Sequence, residues 1–107
     1  MPYFMVQACY SKSSYKSMMN NPHDRREVIK RAVENAGGKL HALYFSLGEF
    51  DVLTIQEWPD AESAAAFAVA VGSSDAVTRT MTTQLFTSEQ GMNVMGAAQK
   101  IKYNPPK

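Results

Sequence analysis

Two histidines and a pair of nearby carboxylates are the residues of this chain best suited to moving a proton. Imidazole is the side chain suited to proton transfer near neutral pH, so either His23 or His41 can serve as a general base. Glu49 and Asp51 flank Phe50 and can act as an acid/base pair. Acids placed in a turn more often bond to local backbone amides, which is the plainer role for both. No serine or cysteine nucleophile motif surrounds the histidines, and structural roles are favoured for them as well. His41 and Asp51 are what remains as catalytic candidates. Neither histidine is spaced from another ligand as a metal site requires, and the i, i+4 histidine pair of zinc enzymes is absent, so no metal is expected. Cys9 is the only cysteine, which excludes an internal disulfide and paired-cysteine metal binding. It is expected to be a small buried apolar residue. Met18, Met19, Met81, Met92 and Met95 can line a pliable pocket, though filling the core is their simpler use.

The elements that must position these residues follow from periodicity. Tyr3 to Tyr10 is aromatic and apolar, as a first strand should be. Ser11 to Asn20 is ambiguous. Asn21-Pro22 has the form of a helix cap followed by proline at the first helical position. Val28, Ile29, Ala32, Val33 and Ala36 then recur on one helical face. Gly37-Gly38 closes that helix, and because it does not open one it is no phosphate loop. Leu40 to Leu47 and Val52 to Trp58 read as strands joined by Gly48-Glu49-Phe50-Asp51, a hairpin whose glycine predicts a positive φ or a bulge. Asp60 caps a helix over 61–71, with Ala64, Ala65, Phe67, Ala68 and Val71 facing inward. Ala76 to Phe86 is a fourth strand. Ser88 caps a last helix near 89–100, weakened by Gly91 and Gly96.

That order is the α+β, ferredoxin-like split βαββαβ pattern, a single domain over 1–107 with a core at 3–88 and a C-terminal helical appendage at 89–107. Right-handed crossovers put the main helices on one face of a four-stranded antiparallel sheet. Alternation on the third strand assigns Leu53 and Ile55 to the helix side and Val52, Thr54, Gln56 and Trp58 to the other, uncovered face. A large semi-apolar face on a small protein marks an interface, so a homodimer is expected. Tyr44, Phe50, Thr54, Gln56 and Trp58 are the expected ligand-binding residues.

Composition narrows the function classes. Eleven basic and ten acidic residues leave a net charge of +1, with no basic stripe, so nucleic acid is not an expected partner. His23, Arg25, Arg26, Lys30 and Arg31 are interrupted by Asp24 and Glu27 and read as a solvated helix face. No apolar run reaches the roughly 20 residues needed to cross a bilayer, and Met1-Pro2-Tyr3 enters a strand directly, so a cytoplasmic protein without a membrane partner is expected.

Several short segments carry a resemblance to a known family. They are the strand opening at Tyr3, Ala36-Gly37-Gly38-Lys39-Leu40, Gly48-Glu49-Phe50-Asp51, Pro59-Asp60 with the alanines behind it, and Leu85-Phe86-Thr87. In order and spacing the chain resembles the GYD domain, a small bacterial family with no assigned activity. The resemblance implies a dimeric α+β barrel, in which two sheets face each other across a two-fold axis. Phe50 stands where the family name expects tyrosine, which suits an aromatic packing role better than hydroxyl chemistry. The family motif shares Asp51, whereas Glu49 occupies a variable slot. The expected function is a homodimeric small-molecule-binding module without a cofactor. The alternative is a cofactor-free isomerase or monooxygenase of the dimeric α+β barrel type, with Tyr44, His41, Asp51 and Trp58 as its first residues to test. A third reading has an exposed helix recruiting a larger partner.

Overall fold

The computed structural model describes residues 1–106. Its elements run β1 (Tyr3–Tyr10), α1 (Lys12–Asn20), α2 (Arg26–Asn35), β2 (Lys39–Phe45), β3 (Val52–Glu57), α3 (Ala61–Gly72), β4 (Val77–Leu85) and α4 (Ser88–Ala98). The sheet has the order β2-β3-β1-β4, every neighbouring pair antiparallel, which is the ferredoxin-like α+β arrangement. α2 packs near β2 and α3 near β4, so both helices cover the same face.

Local chemistry explains most boundaries. Asp60 caps α3 as expected, its carboxylate accepting the Ser63 N–H at 2.8 Å. Gly37 takes a φ of 99° after α2, the left-handed conformation that glycine adopts cheaply. Gly38 is needed for a different reason: a Cβ there would lie 2.8 Å from the Trp58 ring.

Other boundaries differ from the sequence reading. The ambiguous stretch forms α1, because the Ser11 hydroxyl accepts the Ser14 N–H and starts a helical turn. α2 begins at Arg26, not at Pro22, since Asp24 rather than Asn21 satisfies the first free amide. Thr87, not Ser88, caps α4, through a reciprocal box with Gln90. Gly48 has no positive φ; the loop is instead closed by Ser46, whose N–H donates to the Asp51 carbonyl and whose hydroxyl donates to the Phe50 carbonyl. The bulge in this hairpin lies in β2, between Leu40 and Ala42.

The largest correction concerns the two sheet faces. Val52, Thr54, Gln56 and Trp58 point toward the helices and are buried, Trp58 completely, while Leu53 and Ile55 lie half-buried on the open side. Counting apolar residues favoured the opposite assignment. The polar pair is tolerated inside because each member is hydrogen-bonded. Phe4, Val33, Leu40, Trp58 and Ala64 form the core, with Val6, Ile29, Leu43 and Phe67 against it. On α3 only Ala64 of the expected inner face is fully buried, and Ala65 is exposed.

α4 buries no residue, and Met92, Val94 and Met95 on it are exposed. The radius of gyration, 17.1 Å, exceeds the roughly 13 Å of a compact domain of this size. No helix among the described residues is long and apolar enough to cross a membrane.

Candidate functional site

Thr54 and Gln56 of β3 and Trp58, the residue just past its end, share one hydrogen-bonded chain, and its direction is set by its last member. An indole N–H can only donate, so Trp58 Nε1 donates to Gln56 Oε1 at 2.8 Å. That fixes the amide orientation and leaves Gln56 Nε2 to donate to Thr54 Oγ1 at 2.9 Å. The Thr54 hydroxyl must then give its own proton to the Val6 carbonyl, at 3.1 Å, across the β1–β3 pair. Every polar atom in the relay is occupied, although Thr54 is 6% and Gln56 2% exposed.

The relay forms part of the floor of a cavity of about 340 Å³ between the sheet and the two covering helices, at the lower end of the roughly 300–1,000 Å³ typical of small-molecule sites. β1 contributes Val6 and Tyr10, β2 contributes Leu43, and β3 contributes Val52 with Thr54 and Gln56. The walls are Ile29 and Ala32 of α2 and Phe67, Ala70 and Val71 of α3. Small side chains on α3 leave the space open. A second, more polar hollow of about 390 Å³ adjoins it, lined by Met18, His23 and Asp24, and the two share Tyr10, Arg25, Leu43 and Val52.

Arg25 and Tyr10 stand where the hollows meet. Unlike a residue of a solvated helix face, Arg25 is half-buried, and its Nε has no hydrogen-bond partner. Burial pushes the Tyr10 phenol above its usual pKa, outweighing the opposing pull of Arg25 beside it. Below Tyr10, Asp51 accepts its backbone N–H at 2.9 Å. The same carboxylate accepts a hydrogen bond from the Tyr15 phenol, whose pKa is pushed up to about 12. Tyr10 and Tyr15 meet edge to face, with centroids 5.8 Å apart. Asp51 thus ties the β2–β3 loop to the end of β1, a contact 41 residues apart in sequence rather than the local turn bond expected.

The remaining candidates lie elsewhere. His41 sits in the β2 bulge on the open side, 2.7 Å from Glu57 Oε1 and against the Tyr3 ring. It is at the opposite end of the β2–β3 hairpin from Asp51, so the two form no acid/base pair. Tyr44, 65% exposed, is also on the open side. Phe50 is buried under the Arg79 guanidinium, 4.4 Å from its ring centroid, and Glu49 holds that guanidinium at 2.7 Å. His23 bonds to its own turn, its Nδ1–H donating to the Asn21 carbonyl at 2.8 Å. Cys9 is half-buried rather than sealed in the core, its Sγ 3.4 Å from the Glu49 carbonyl. Of the expected ligand residues, Thr54 and Gln56 line the cavity, and Trp58 reaches it only through Gln56. Met18 borders the second hollow, while Met19, Met81, Met92 and Met95 are exposed. Tyr10 and Arg25 carried no sequence signal, because they are brought together by the fold and not by spacing.

Comparison with known proteins fits this geometry. No curated protein matches the chain. Among solved structures, the "crystal structure of FFRP-DM1" aligns over 80% of this chain and 100% of its own, with a TM-score of 0.56 and 14% identity. At that identity the likeness speaks for the fold alone. The GYD domain profile matches residues 4–95, which takes in all four strands but for Tyr3 and reaches into α4. The chain is therefore a member of the GYD domain family.

Proposed function

We propose that the protein is a homodimeric small-molecule-binding module. The observation that carries this reading is the cavity between sheet and helices, apolar-walled with a few convergent polar groups. The titratable side chains on its lining are Tyr10 and Arg25. Neither is a proton acceptor near neutral pH, since burial raises Tyr10 further and arginine stays charged. That favours binding over the isomerase or monooxygenase reading.

The second copy belongs on the open face. Met5, Leu53, Ile55 and Leu85 are half-buried there, and Tyr44 and Met81 are exposed, giving a more apolar surface than the one expected from sequence. Pairing two such faces is a way to bury the roughly 800 Å² per partner of a stable interface. Sedimentation velocity should give a dimer at micromolar concentration, and Ile55→Glu should convert it to a folded monomer. A wild-type monomer would remove the dimer from this reading. A metabolite screen by thermal shift should yield at least one stabilising compound, and its effect should vanish in Ala70→Leu, which fills the cavity.

A further inference from the structure

We infer that the ligand is an apolar carboxylic acid, its hydrocarbon part in the cavity and its carboxylate on Arg25 at the boundary with the outer hollow. The inference rests on the binding reading above and specifies what that site selects.

The polarity of the two hollows is graded. The inner one is walled by aliphatic and aromatic carbon from both helices, with Thr54 and Gln56 already committed to the relay. They offer little to a charged group. Arg25 is different. It is the charged residue on that lining, and among the described residues it forms no ion pair. Its buried Nε is the one buried side-chain polar atom without a partner among the described residues. A half-buried guanidinium facing apolar walls is costly unless an anion answers it. The nearby carboxylates have other partners: Asp24 Oδ1 accepts the Arg26 N–H at 2.9 Å, and Asp51 holds Tyr10 N and Tyr15. Its planar guanidinium lies beside the Tyr10 phenol with Nε unpaired, and such a group can take a carboxylate bidentately. The neutral Tyr10 phenol beside it can donate a further hydrogen bond.

The volume suits a single ring or a medium chain. Octanoate against octanol, and phenylbutyrate against phenylbutanol, are therefore the probes, titrated calorimetrically and followed by NMR. The acids should bind about ten- to a hundredfold more tightly than the alcohols, the range of one charge-assisted hydrogen bond. Shifts should appear at the Thr54 and Gln56 signals and not at Leu53 or Ile55. Arg25→Gln should level acids with alcohols. Should that variant misfold, Tyr10→Phe should narrow the same difference. Equal affinity for acids and alcohols in the wild type overturns the carboxylate inference while leaving the cavity a binding site. Shifts confined to Leu53 and Ile55, or no binding of either set, overturn both.

Discussion

The sheet–helix layer has two ends that follow the same alternation and finish differently. At one end Phe4, Leu40 and Trp58 meet Val33 and Ala64, and the Trp58 ring lies so close to Gly38 that the glycine cannot carry a Cβ. At the other, Val6, Leu43 and Val52 face Ile29, Ala32, Ala70 and Val71 across an opening. The fully buried Trp58 ring fills the first end, and hydrophobicity does not separate the two. Polar residues also serve different ends: Gln56 anchors the packed end through Trp58, while Arg25 and Tyr10 border the hollow one. A small domain can thus spend one half of its core on stability and hold the other half open for a guest.

Substitutions can break this contrast. Trp58→Ala should have the largest effect, a loss of about 3–5 kcal/mol in urea unfolding, because a fully buried aromatic leaves a cavity at the tight end. That is a large share of the roughly 5–15 kcal/mol available to a domain. Thr54→Val keeps the shape but strands the Gln56 amide, and should cost about 1–3 kcal/mol. Ala70→Leu goes the other way. Filling the hollow end should raise stability by roughly 0.5–2 kcal/mol, measured by the same unfolding curve. A loss comparable to Trp58→Ala would mean the opening is not real.

The smallest effect is electrostatic. The folded Tyr15 pKa of about 12 lies above the ordinary value of 10.0, so its contribution is complete below pH 10 and disappears as pH rises toward 12. Tyr15→Phe should flatten that alkaline limb of a stability–pH curve and leave neutral pH little changed.

Much of the scaffold was legible. Strand positions, the Asp60 cap and the glycine stop after α2 depend on short-range rules that residues state locally. The faces of β3 were not legible, because Leu53 and Ile55 look more buried than Thr54 and Gln56 until the relay to Trp58 is known. Trp58 itself was the available clue, being the largest side chain on its face. The start of α2 was not legible because Asn21-Pro22 has the form of a cap, and only the hydrogen bond from the Arg26 N–H to Asp24 places the helix later. The rim of the cavity was out of reach, since Tyr10, Arg25 and Asp51 become neighbours only when β1, α2 and the hairpin close on one another.

The placement of β1 has a consequence for synthesis. One of its long edges is matched by β4, whose residues leave the ribosome some seventy positions later, as in the pairing of Tyr10 with Val77. Until β4 has emerged, the β2–β3 hairpin can shield one side of β1 while the other stays open to solvent and to other nascent chains. Such long-range closure slows folding and lengthens the window for mispairing. Ribosome-stalled fragments ending before residue 77 should therefore be the ones that chaperones retain.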